Sequence, residues 1–154
     1  MPSGADAAPR LVLDTSAYTH LRAGDVRVID LVAAAEMVFV PATVLGELHG
    51  GFELGSRLRE NRVALSEFLA EPFVTVVPTS ASVARHYGRV YAALRRAGTP
   101  IPVNDMWIAA ATLDQGACLL SFDADFERVG GLDRIMLKRT SSGPDDADPE
   151  TPQP

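Results

Sequence analysis

Short runs of consecutive apolar residues alternate along the chain with longer stretches in which apolar residues recur every three or four positions. The short runs are typical of strands that are buried on both faces of a parallel sheet. The sequence therefore predicts five strands, at residues 11–13, 37–40, 73–77, 117–120 and 135–137.

The longer stretches have the periodicity of amphipathic helices. In residues 25–36, Val28, Leu31 and Val32 fall on one helical face, and Asp25 is a suitable N-cap. Because strands that alternate with helices are joined by right-handed crossovers, we predict a three-layer α/β/α sandwich around a parallel sheet of about five strands. The predicted helices are residues 25–36, 43–54, 56–70, 80–97 and 104–115.

The chain length and its two ends define the domain organisation. With 154 residues, the chain suffices for one domain with one core. Residues 141–154 consist of Pro, Ser, Gly, acids and other polar residues with a single alanine, a composition that cannot offset its ordering entropy. We expect a disordered head at 1–9, one α/β domain at 10–139 and a disordered acidic, proline-rich tail at 140–154.

Composition excludes several classes of protein. The chain is 47% hydrophobic and 22% charged, as in soluble globular proteins, and no apolar run approaches the ~20 residues of a membrane helix. The first residues lack the pattern of a signal peptide, so we expect a cytoplasmic protein. The single cysteine, Cys118, excludes an internal disulfide and a cysteine-based zinc site, and its apolar surroundings favour a core position.

The net charge of −6 is concentrated at the ends of the chain. Of the 20 acids, Asp6 and four acids in the tail account for five, which leaves fifteen acids against fourteen bases in the domain. The negative balance therefore does not exclude a nucleic-acid partner.

Four acids are predicted to lie at one edge of the sheet. Asp14 and Asp123 directly follow the first and fourth strands, where ligands bind in open α/β sheets. Asp105 lies near the start of the helix before the fourth strand, and Glu47 lies early in the helix after the second. Three of the four have an ordinary alternative: Asp14 could cap a helix beginning near Ala17, Asp105 could stabilise a helix start, and Glu47 could be solvated.

A cluster of four carboxylates implies a cation. At an effective dielectric of 20, each close pair of carboxylates repels by on the order of several kcal/mol. With oxygen donors and no supporting Cys or His, the ion is predicted to be Mg²⁺, with Mn²⁺ as a possible substitute, rather than zinc. The chemistry that such an ion favours is hydrolysis of a phosphodiester.

Four sequence blocks carry a resemblance to a known family. They are Asp14-Thr15-Ser16, the segment 44–48 around Glu47, the segment 104–110 around Asp105, and the segment 121–126 around Asp123. In this order and spacing, across residues 11–137, they resemble the PIN domain of VapC-type toxins from bacterial toxin–antitoxin pairs. The resemblance implies a Mg²⁺-dependent endoribonuclease with a PIN-like fold.

The resemblance also implies roles for individual residues. Asp14, Glu47, Asp105 and Asp123 would be the catalytic, metal-binding acids. Ser121 stands where the family usually has threonine, which keeps the hydroxyl. The predicted auxiliary residues are Ser16, Ser121 and Asp125.

The same resemblance implies the partners: an RNA substrate, a cognate VapB-type antitoxin and a second copy of the chain in a homodimer, with no membrane. An RNA-binding protein needs phosphate contacts, although solvated helix faces explain groups of arginines more often. The candidate contacts are Arg57, Arg59, Arg62, Arg85, Arg89 and Arg96.

Other chemistry-bearing residues are assigned no role. His49 follows Glu47 by two positions, which is not the spacing of helical zinc ligands. His20 and His86 have no partner motif, and core packing is the default for Trp107.

Two other functions remain open from the residues. A PIN-like module that binds RNA or protein without cleavage would have one of the four acids absent or misplaced, and none is absent. A phosphotransferase of the haloacid-dehalogenase kind would have an acid two residues after Asp14, where Ser16 stands.

Overall fold

The computed structural model describes residues 8–140, which contain all five predicted strands. Each observed strand differs from its predicted bounds by one residue at one or both ends. The strands are β1 (Arg10–Leu13), β2 (Met37–Pro41), β3 (Val74–Val77), β4 (Cys118–Ser121) and β5 (Arg134–Met136).

The five strands form one parallel sheet in the order β3-β2-β1-β4-β5. β1 is central, and Leu11, Val12 and Leu13 are completely buried, as expected for a strand covered on both faces. Leu13 pairs in register with Leu120 of β4. The residues that follow β1 and β4 therefore emerge side by side at the carboxyl edge.

Six α-helices and one 3-10 helix are present within residues 8–140. The apolar pattern predicted five of the α-helices. The additional one is α1, the helix that Asp14 was expected to cap if its role were structural. The helices are α1 (Thr15–Arg22), α2 (Val26–Ala34), α3 (Ala42–Leu54), α4 (Leu58–Leu69), α5 (Ala81–Ala97), α6 (Val103–Gln115) and the 3-10 helix Ala124–Arg128.

The strand order determines how the helices are layered. The chain moves from β1 through β2 to β3 in one direction and then crosses to β4 and β5 on the other side of β1. Right-handed crossovers therefore place α1–α4 on one face of the sheet and α5 and α6 on the other. α5 packs along α6, so the predicted three-layer α/β/α sandwich is confirmed.

Helix ends follow their local chemistry. The hydroxyl of Ser80 accepts a hydrogen bond from the Val83 amide at 3.2 Å and caps α5. Gly98 and Gly116 end α5 and α6 with φ angles of 67° and 57°, in the left-handed region that glycine adopts without a steric penalty. Among residues 8–140, no helix has the length and hydropathy that crossing a membrane requires.

The predicted head and tail lie outside the described residues, apart from residues 8, 9 and 140. The carbonyl of Pro9, at the end of the predicted head, accepts a hydrogen bond from the Glu36 amide at 2.9 Å. The residue directly before the predicted boundary therefore contacts the domain through its backbone, and the boundaries themselves stay a prediction.

Candidate metal centre

A cavity of about 510 Å³ opens at the carboxyl edge of the sheet, between β1, β4, α3 and α6. All four acids predicted from the sequence line it. The cavity is lined by Asp14, Thr15, Ser16, Thr19, His20, Glu47, Asp105, Ile108, Phe122, Asp123, Ala124 and Arg139.

Asp14 is the most buried of these acids, with 4% of its surface exposed. Its Oδ1 accepts hydrogen bonds from the Ser16 hydroxyl at 2.7 Å and from the Ala17 amide at 2.8 Å, and its Oδ2 accepts one from the Ser121 hydroxyl. Burial raises the pKa of Asp14 above its ordinary value, against the opposing effect of these hydrogen bonds. Asp14 therefore caps α1, as the alternative interpretation of this residue predicted, and it also lines the cavity.

The two predicted auxiliary serines join the ends of β1 and β4. The Ser16 hydroxyl accepts a hydrogen bond from the Phe122 amide at 3.0 Å, and the Ser121 hydroxyl accepts one from the Asp123 amide at 2.9 Å. Because both hydroxyls also donate to Asp14, they fix the backbone that carries Asp123 relative to Asp14.

Glu47 reaches the cavity from the first half of α3. Its Oε1 accepts a hydrogen bond from the Thr15 hydroxyl at 2.8 Å. Thr15 belongs to the segment Asp14-Thr15-Ser16, but no role was predicted for it. Its partner Glu47 lies 32 residues away, and no local sequence pattern indicates that the two side chains meet.

Three carboxylates lie close together at the edge of the cavity. Asp105, Asp123 and Asp125 each offer an oxygen within 4.8 Å of the other two. Asp123 caps the 3-10 helix by accepting a hydrogen bond from the Asp125 amide at 2.9 Å. Asp125, predicted only as an auxiliary residue, thus belongs to this group although it does not line the cavity. Asp14 and Glu47 line the cavity with Asp105 and Asp123 but lie outside the group.

The pKa of Asp105 reflects its burial and the repulsion between these carboxylates. Burial, followed by the negative charges of Asp123, Glu47 and Asp125, raises its pKa to about 7. Without a cation, Asp105 therefore keeps its proton to a higher pH than an ordinary aspartate does. Because the donors are all carboxylate oxygens, the group fits a hard divalent cation such as Mg²⁺ or Mn²⁺ and does not fit the nitrogen and sulfur preference of zinc.

The six arginines predicted as RNA contacts lie away from this cavity. All six side chains are exposed, and none of them lines it. Arg62 forms an ion pair with Glu53, and Arg89 lines a separate groove along α5. Their contact with RNA stays a prediction.

The residues to which no role was assigned divide into two kinds. His49 is exposed on α3, and Trp107 stacks on Tyr87 with 4.0 Å between ring centroids and packs against the core, as expected. His20 and Arg139, by contrast, line the acidic cavity. Sequence reasoning missed both because no motif surrounds them.

Comparison with known proteins identifies the fold. A family model described as PIN domain matches residues 11–132. The chain belongs to the PIN-domain family. This PIN domain is 31% identical to "Ribonuclease VapC1" of Haemophilus influenzae over 107 residues. The aligned region covers 69% of this chain and 78% of that relative.

Further relatives agree with a VapC-type PIN domain. "Ribonuclease VapC5" of Mycobacterium tuberculosis is 27% identical over 130 residues, covering 83% of the chain and 93% of the relative. Among solved structures, VapBC2 from Rickettsia felis bound to a DNA fragment from their promoter matches with a TM-score of 0.73 and 22% identity, over 84% of this chain and 99% of that one. The structural match shows that the fold is shared.

Proposed function

We propose that this VapC-type PIN domain is a Mg²⁺-dependent endoribonuclease that acts as the toxin of a toxin–antitoxin pair. The observation that carries the proposal is the group of Asp105, Asp123 and Asp125, two of which line one cavity together with Asp14 and Glu47. The names of its relatives, "Ribonuclease VapC1" and "Ribonuclease VapC5", support RNA as the substrate.

The residues that would hold the cation are Asp105, Asp123 and Asp125, with Glu47 and Asp14 completing the negative cavity. When bound, Mg²⁺ supplies a water nucleophile of lowered pKa and neutralises charge on the phosphate, and Mn²⁺ can substitute. The net reaction adds water across one P–O bond, which leaves a phosphate monoester on one fragment and a hydroxyl on the other.

The surrounding residues position these acids. Ser16 and Ser121 hold the turn after β4 against Asp14, so that Asp123 faces Asp105. Thr15 holds Glu47 by its hydrogen bond. A misplacement of about 1 Å in such a group can cost on the order of 10²-fold in rate, so these hydroxyls are positioning residues.

Two partners follow from the proposal. A structural neighbour from Mycobacterium tuberculosis, VapBC-5, is described as a member of the VapBC family of toxin-antitoxin systems, which supports a VapB-type antitoxin for this chain. The homodimer implied by the resemblance is proposed with it. Both would be tested by co-expressing the chain with the product of an adjacent gene and measuring the mass of the purified complex by light scattering.

The test of the activity is cleavage of a labelled random-sequence RNA pool by the purified full-length chain. We expect cleavage with Mg²⁺, none with EDTA, and at least a ~100-fold loss in Asp105→Asn. Asp30→Asn is the matched control, because Asp30 is an exposed acid on α2 outside the cavity. Metal-independent cleavage, or full activity in Asp105→Asn, would reject the assignment, and RNA binding without cleavage would identify a binding module instead.

A further inference from the structure

A second cavity, of about 470 Å³, lies beside the acidic one at the turn between α1 and α2. His20 is the one residue that lines both. Each cavity falls within the range of roughly 300–1,000 Å³ that ligand sites occupy. An RNA strand with one phosphate at the acids would have room for the next nucleotide in the second cavity, and its path would cross His20.

The His20 ring is held from two sides. Its Nδ1 lies 2.8 Å from the Ser16 carbonyl oxygen, and its face stacks on Phe122 with 3.6 Å between centroids and 11° between planes. The guanidinium of Arg27 lies 5.5 Å from the same Phe122 ring. The imidazole is therefore fixed in place by contacts that also order the turn after β4.

The contact with Ser16 determines which ring nitrogen is left to bind a ligand. A carbonyl oxygen only accepts hydrogen bonds, so Nδ1 carries a proton and donates to Ser16. Nε2 makes no hydrogen bond to any residue between 8 and 140. The edge of the ring that carries Nε2 is thus left for a ligand.

Charge indicates what that ligand is. The acidic cavity must admit RNA, a polyanion, although four carboxylates line it. The basic side chains in its lining are His20 and Arg139. On the other side of the ring, Asp25 is paired with Arg27 at 2.8 Å. A ring that carries a second proton donates from both nitrogens, so Nε2 can then bind an anionic oxygen.

We infer that His20 is a substrate-binding residue of the proposed nuclease, whose Nε2 donates to an oxygen of the RNA phosphate next to the one that is cut. This inference rests on the proposed function. His20 fixes the register of the strand, and the neighbouring nucleotide occupies the cavity at the α1–α2 turn.

The test uses two substitutions that separate the nitrogens of the ring. His20→Asn keeps a donor near the position of Nδ1 and removes Nε2, whereas His20→Gln keeps a donor near the position of Nε2. With an oligoribonucleotide that the wild type cuts at one position, we expect His20→Asn to raise KM roughly tenfold and change kcat by less than about twofold. His20→Gln is expected to recover most of the loss, and His49→Asn, at an exposed histidine outside both cavities, is the control.

A modified substrate identifies the contacted phosphate. Replacing one neighbouring phosphate by an uncharged methylphosphonate is expected to raise the wild-type KM by the same factor, and to have no further effect in His20→Asn. The Mg²⁺-induced rise in melting temperature is expected to be unchanged in both His20 variants, because His20 is not among the metal-binding acids.

The outcomes separate the two proposals. If the wild type cuts RNA while His20→Asn keeps the wild-type KM, the role of His20 is rejected and the nuclease assignment stands. The same conclusion follows if, at every neighbouring phosphate, the methylphosphonate raises the KM of His20→Asn by as large a factor as it raises the wild-type KM. If the wild type cuts no RNA in the pool with Mg²⁺ or Mn²⁺, both are rejected.

Discussion

The Ser121 hydroxyl donates a hydrogen bond to Oδ2 of Asp14, although the two residues are 107 positions apart in the sequence. Both residues are buried, and they join the carboxyl ends of the central strand β1 and its neighbour β4. Because the same hydroxyl accepts from the Asp123 amide, one side chain links a buried acid to the group of Asp105, Asp123 and Asp125.

The first prediction concerns this link. Ser121→Ala removes a donor from the buried Asp14 carboxylate and is expected to cost about 1–3 kcal/mol of stability and to lower RNA cleavage at least tenfold. Ser121→Thr keeps the hydroxyl and is expected to restore most of both. The measurements are denaturant unfolding and initial cleavage rates, and equal rates in Ser121→Ala and the wild type would show that the link does not position Asp123.

A second prediction follows from the raised pKa of Asp105. In the unfolded chain this carboxyl has its ordinary pKa near 4, whereas in the folded chain its pKa is about 7. Between these values the folded state binds more protons, so its stability falls as pH rises through this window. The metal-free melting temperature is therefore expected to drop from pH 4 to pH 7, and to drop less in Asp105→Asn.

The control for this pH dependence is Asp30→Asn, which is expected to follow the wild type because Asp30 is exposed on α2. Asp105→Asn is also expected to melt above the wild type at pH 8 without metal, since it relieves repulsion from Asp123, Glu47 and Asp125. Parallel curves for the wild type and Asp105→Asn would contradict the predicted repulsion.

A third prediction joins the cation to the proton on Asp105. A divalent cation binds the ionised carboxylates, so binding near pH 7 is expected to release part of one proton and to be weaker at pH 6 than at pH 8. Calorimetric titration with Mg²⁺ in two buffers of different ionisation enthalpy measures the release. In Asp105→Asn the release is expected to disappear, whereas a proton count that is the same in both chains would place the titrating group elsewhere.

The positions of the acids could be predicted from the sequence because parallel strands end at one edge of the sheet, so that residues after β1 and β4 must meet there. The closeness of Asp125 to Asp105 could not, since it depends on the turn that Asp123 caps. α1 was not among the helices predicted from the apolar pattern, because its eight residues, TSAYTHLR, are mostly polar and begin directly after Asp14.

Contacts between side chains distant in the sequence explain the remaining differences. The hydrogen bond from Thr15 to Glu47 and the stacking of His20 on Phe122 each require the packed fold to bring the partners together. No local pattern encodes them. His20 was therefore left without a role, although its ring lines both the acidic cavity and the cavity at the α1–α2 turn.

The final prediction concerns inhibition by the proposed VapB-type antitoxin. A cavity lined by four carboxylates focuses a negative potential, so a basic side chain of the partner that enters it would bind the oxygens that Mg²⁺ requires. Co-expression with the adjacent gene product is expected to relieve growth arrest caused by this chain. The purified complex is expected to bind Mg²⁺ at least tenfold more weakly than the chain alone, as measured by calorimetry.

The test of that competition is whether it depends on the acids themselves. If a basic side chain occupies the cavity, Asp105→Asn is expected to weaken the affinity of the chain for the antitoxin, whereas Asp30→Asn, outside the cavity, is expected to leave it unchanged. Reciprocity of linkage requires that Mg²⁺ lower antitoxin affinity by the same factor by which antitoxin lowers Mg²⁺ affinity. Equal Mg²⁺ affinity in the chain and the complex would show that the antitoxin blocks RNA without entering the cavity.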